Sequence, residues 1–137
     1  MSERKAPGYK SFDGKALKGS FQIIEKCQEF AAKVYEYTVK AEKEYRVTIC
    51  RTVQEYCCIV IHSARFANSI PLGSPDRSEA HKETLEYLER VNDLLPVLRR
   101  CRCLSPNQES DLHKKFSNLR FGYLKWMESD KKRSSQS

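Results

Sequence analysis

Glycine and proline are scarce in this chain, five of each in 137 residues, and no stretch alternates apolar with polar residues for long. The first scarcity suits a helical protein, and the second leaves strands without a signature. No apolar run approaches the roughly 18 residues of a membrane span, so a soluble protein is expected. The opening M-S-E-R-K-A-P-G-Y-K has no apolar centre of the kind a secretory signal needs, which points to the cytoplasm. Chemical signatures are missing too. There is no Gly-rich phosphate loop, no His-Glu-x-x-His and no Glu-x-x-His of the di-iron bundles. Ser63 follows His62, but neighbouring helical residues point apart, so the two make no catalytic couple. The pairs Glu79–Glu83 and Glu86–Glu89 read as a solvated acidic face rather than as an acid–base site. No enzyme and no cofactor are expected.

Six cysteines (Cys27, Cys50, Cys57, Cys58, Cys101, Cys103) form an even set, yet without a secretory signal a disulfide framework has little support. Cys27, Cys57 and Cys101 fall on apolar helical stripes, where a free thiol packs as a small hydrophobe. Cys101 and Cys103 cannot both face the core of one regular helix. A zinc site with His62, His81 or His113 matches no finger or ribbon spacing, so no metal is expected. His81 and His113 read as residues on the polar sides of their helices.

The chain has 39% hydrophobic and 31% charged residues, and at this length it is one domain with one core. Residues 1–19, polar and basic, read as a flexible arm. Ser20 is a plausible cap for a first helix whose inward face carries Ile24, Cys27, Val34 and Ala41. The chain turns near Glu44. A second helix then carries Ile49, Val53, Cys57, Val60, Ala64 and Ala67. It is rich in β-branched residues, which leaves a strand open for part of it, but the apolar spacing runs too long for one strand. The loop N-S-I-P-L-G-S-P follows, and Asp76 with Glu79 suggests a capping box for the third helix. That helix carries Ala80, Thr84, Leu88, Val91, Leu95 and Leu98, with a kink expected at Pro96. Ser105, Pro106 and Gln108 give a start for the fourth, through a proline at the first position and a second capping box. Leu112, Phe116, Leu119, Tyr123 and Trp126 make its stripe. Residues 129–137 read as a disordered polar tail. The expected fold is all-α, an up-down-up-down four-helix bundle over residues 20–128.

Charge is unevenly placed. The net charge is +7, and Leu94 to Arg133 holds ten Lys or Arg against four acids. Such asymmetry favours an acidic partner, nucleic acid foremost. Arg99, Arg100 and Arg102 cluster beyond what the negative end of a helix requires. With Lys114, Lys115, Arg120 and Lys125 they are the candidate phosphate contacts, suited to salt-sensitive binding with little sequence preference. Tyr123 and Trp126 lie on the apolar stripe and read as core rather than as base-stacking residues.

The order of features resembles a known family. Glu44 to Arg46 reads E-Y-R after the first helix, and A-R-F-A-N ends the second at Ala64 to Asn68. L-R-R-C-R-C-L-S-P-N-Q links the third to the fourth, which closes on G-Y-L-K-W-M. This is similar to the four-helix-bundle accessory variability proteins of diversity-generating retroelements, with intervening-sequence proteins of ribosomal RNA genes as wider relatives. The latter usually carry S-I-P-x-N-I-A-E-G where this chain has N-S-I-P-L-G-S-P, so the accessory branch is nearer. Where the family often has E-x-G-R, this chain has Asn118, Leu119, Arg120 and Phe121. The resemblance spans roughly residues 21–128. It implies a non-catalytic homopentameric ring that binds a reverse transcriptase and template RNA or cDNA and supports mutagenic reverse transcription. The alternative it implies is a protein-interaction bundle of the intervening-sequence type without nucleic-acid binding.

Overall fold

A computed structural model describes residues 14–136, with side chains from Gln22 to Ser135. Most of the basic arm, residues 1–13, lies outside the described residues. Five helices follow in order: α1 (Gly14–Thr38), α2 (Lys43–Arg46), α3 (Ile49–Ser69), α4 (Pro75–Arg100) and α5 (Pro106–Gln136). Four are long, and the described residues contain no strand. The β-branched centre of α3 is helical because the period of its buried residues, Val53, Cys57, Val60, Ala64 and Ala67, matches a helix and not a pleat.

The long helices close a circuit in which α1 packs on α3 and α5, and α4 packs on the same two. Side-chain contacts give their directions. Between α4 and α5, Arg77 meets Asp130, His81 meets Tyr123, Glu89 meets Arg120 and Arg99 meets Glu109. Numbers rise on one helix as they fall on the other, so the two are antiparallel. The same holds for α3 and α4, where Tyr56 faces Tyr87 and Arg77 reaches the Ile70 carbonyl. Tyr37 on Asp111, with Gly122 against Ile23, sets α1 against α5. The result is the up-down-up-down bundle expected from four amphipathic faces and short links. Its core runs through Val34, Val53, Leu88, Val91, Leu95, Leu98, Leu112 and Tyr123. Burial of so many large apolar side chains, each worth about 1.5–3 kcal/mol, is what holds the helices together.

Several boundaries differ from the sequence reading. Helix α1 begins at Gly14 rather than at Ser20, so the end of the basic arm is helical. The turn near Glu44 is a ten-residue passage holding the extra turn α2. Ser74, not Asp76, caps α4: its Oγ accepts from the Asp76 amide at 3.2 Å, because Pro75 occupies the first helical position. Pro71 to Ser74 form the turn before it, with Gly73 at φ +92°, a backbone that glycine adopts without strain. Pro96 is exposed, and α4 runs through it to Arg100. Residues 129–136, expected as a disordered tail, are the last turns of α5, held by the buried carboxylate of Asp130.

Candidate nucleic-acid interface

The α4–α5 turn shapes the arginine cluster. Leu98 is fully buried at the last core position of α4. The amide of Cys103 donates back to the Leu98 carbonyl at 2.8 Å, and that of Arg102 to Arg99 at 2.9 Å. This double bond pattern ends many helices, and its hinge residue is left-handed and usually glycine. Here the hinge is Arg102, at φ 63°. A side chain in that conformation costs roughly 1–2 kcal/mol. The turn throws Arg102 outward and drops Cys103 and Leu104 into the core. Cys103 therefore takes the buried place expected for Cys101, which is the half-buried cap of α4. The capping box of α5 then forms as expected: the Ser105 amide donates to Gln108 Oε1 at 2.9 Å, and the Gln108 amide to Ser105 Oγ at 3.1 Å. The turn is thus held at both ends.

Arg99, Arg100 and Arg102 border a hollow of about 1000 Å³ together with Lys40 from the passage after α1. Among the described residues, Glu36 is the only acid on its lining. Arg99 spans to Glu109 at 3.2 Å, while Arg100 and Arg102 are exposed and have no acidic partner among the described residues. The hollow thus carries four cations on its lining against Glu36, with Arg99 engaged by Glu109.

The other four candidates do not join it. Lys115 bonds Asp111 at 2.9 Å, and Asp111 also accepts from the Tyr37 hydroxyl at 2.6 Å. That hydroxyl bond, with Lys115 second, holds the Asp111 carboxyl below its ordinary range. The same bond pushes the Tyr37 phenol up to about 12. Arg120 pairs with Glu89 of α4 at 2.6 Å. Five residues turn a helix by about 140°, so Lys115 faces α1 and Arg120 faces α4. Lys114 and Lys125 stand on the outer face of α5, both exposed.

A second cluster lies at the opposite end, and the sequence reading missed it. His81, expected on a polar face, is 2% exposed. Its Nε2 lies 2.7 Å from Asp130 Oδ2 and its Nδ1 2.7 Å from the Tyr123 hydroxyl. A carboxylate only accepts, so Nε2 carries the proton, and in the neutral ring Nδ1 accepts from Tyr123. Arg77 donates to Asp130 through both Nε (2.7 Å) and Nη2 (3.0 Å), and through Nη1 to the Ile70 carbonyl (2.9 Å). Trp126 packs edge-on to the His81 ring. Burial would raise the Asp130 carboxyl, but the bonds from His81 and Arg77 overrule it and hold it at about 2. Burial pushes the Tyr123 phenol up. Each group is satisfied by the others, so the cluster ties α5 to α4 and offers no free nucleophile or base. The spacing held a signal: Asp130 falls four residues after Trp126 and seven after Tyr123, on the same stripe.

His113 is exposed, with Nδ1 3.3 Å from the side-chain oxygen of Asn92. All six cysteines are free thiols. Burial pushes Cys27 and Cys57 up to about 12, and Cys103 likewise, helped by Cys50 beside it. Among the described residues no group of His, Cys, Asp and Glu is placed to hold a metal ion, and no helix is long and apolar enough to cross a membrane. No family model matches the chain, and neither a curated protein nor a solved structure is similar enough to it to count as a match.

Proposed function

We propose that this bundle is a non-catalytic accessory protein that binds nucleic acid through the arginine turn between α4 and α5. One observation carries the reading. Arg102 occupies a left-handed hinge where glycine would be relaxed, and its side chain stands in the open beside Arg100, Arg99 and Lys40. Backbone strain retained at an exposed cation is what a binding contact explains and a solvated surface does not. Phosphate groups need such a field and little else. The wider reading follows the resemblance to accessory variability proteins: a homopentameric ring that holds a reverse transcriptase and its template RNA or cDNA during mutagenic reverse transcription.

A protein partner has support of its own. Phe66, 55% exposed, and Ile70 line a groove of about 560 Å³ beside Asp76, Glu79, Glu83 and Glu86 on α4. An acidic, partly apolar groove suits a basic protein such as a polymerase. It also supports the second reading, a protein-interaction module without nucleic acid.

The test is RNA binding across a salt series by the whole protein and by an Arg100→Glu/Arg102→Glu double variant. Arg99 is left in place, since reversing it would set two acids together at Glu109. Affinity of the parent should fall steeply with salt, and the variant should lose RNA while keeping its helical content. Equal binding by both removes the arginine turn from the reading. No binding by either leaves the protein-interaction module.

A further inference from the structure

We propose that the slot between the start of α4 and the C-terminal half of α5 accepts an unpaired nucleobase stacked on Phe121, so that the protein holds single-stranded nucleic acid more tightly than duplex. The inference rests on the nucleic-acid reading above and adds which form of nucleic acid is held, and where. The slot measures about 650 Å³, and its walls include Leu72, Phe121, Leu124 and Met127. Phe121 is 64% exposed, more than any other large apolar side chain described, so packing among the described residues does not explain it. Aromatic rings left in the open beside cations are the platform on which bases of any sequence stack.

Charge at the slot selects the same occupant. Lys82, Lys125 and Lys131 line it against Glu128. Lys125 already lies over the Phe121 ring, 5.3 Å from its centre. The floor is the Arg77–Asp130–His81 cluster, whose polar groups are spent on each other. Polar recognition therefore falls to the lysines and Glu128, and the rest of the slot is mostly apolar surface. A flat base with its phosphates outside meets both demands. The slot also continues a track: Lys114, Phe121 and Lys125 are seven and eleven residues apart, on one outer stripe of α5 about 17 Å long. In a duplex the bases are stacked on each other and cannot reach Phe121.

The test uses anisotropy of a fluorescent single-stranded RNA and of the same strand in a duplex, with the parent and Phe121→Ala. Phe121→Trp serves as a second variant, and light scattering gives the mass of each. Phe121→Ala should weaken the single strand about tenfold and leave duplex binding unchanged, as expected for one stacked base, while Phe121→Trp should bind at least as well as the parent. Equal effects on strand and duplex, or none on either, overturn the slot but leave the arginine turn standing. A lower mass for Phe121→Ala shows that a second copy covers this face, and that overturns it too. Failure of the parent to bind any RNA takes down the nucleic-acid reading itself and the slot with it.

Discussion

Replacing Arg102 with glycine should make the protein more stable and a poorer binder at once. Arg102 sits at φ 63°, in the position of the helix-ending motif that glycine normally takes. The left-handed backbone costs a side-chain-bearing residue roughly 1–2 kcal/mol, and glycine escapes that. Against it, glycine enlarges the conformational freedom of the unfolded chain, which returns about 0.5–1 kcal/mol. The net is a gain of about 0.5–1 kcal/mol, or about 2–4 °C in Tm for a chain of this size. Thermal unfolding by circular dichroism reads it directly. In the same preparation, loss of one phosphate contact should lower the salt slope of RNA binding by about 0.7 on a single strand. Arg102→Ala separates the two effects. It keeps the strained backbone and loses the charge, so binding should fall with stability within about 0.5 kcal/mol of the parent. A lower Tm for Arg102→Gly refutes the strain argument. A parental salt slope in both variants refutes the contact.

Three further outcomes follow from the buried groups. Asp130→Asn leaves the Arg77 guanidinium buried without its counter-charge, a loss of about 3–5 kcal/mol that urea unfolding should register. The same carboxyl gives a pH signature. Its folded value of about 2 lies below the ordinary 3.8, so its contribution is present above about pH 4 and is lost as pH falls through 2. Urea midpoints of the parent should therefore drop over that window by more than those of Asp130→Asn. Among the thiols, exposed Cys58 should label first with a maleimide under native conditions, and buried Cys27, Cys57 and Cys103 only after unfolding. Early modification at Cys27 would contradict the packing of α1.

The chain by itself determined the helices and most of the core. Apolar residues at helical spacing settle which face is buried, because burial is proportional to area and needs no particular partner. Leu98, Leu112, Leu119, Tyr123 and Trp126 were legible for that reason, and so was the Ser105–Gln108 box, whose two bonds close within four residues. The arginine cluster was legible because its three members are neighbours in sequence. What each cation does was not. Arg120 is paired by Glu89, 31 residues away, and Lys115 shares Asp111 with Tyr37 of another helix. Only the antiparallel packing brings those groups together. His81 and Asp130 are 49 residues apart, and each alone reads as a surface polar residue. Their burial is stable only because His81, Asp130, Arg77 and Tyr123 satisfy one another, since an unpaired charge there would cost several kcal/mol. Periodicity along the chain records which surface leaves water. The pairing of polar groups across helices exists only once the helices have met.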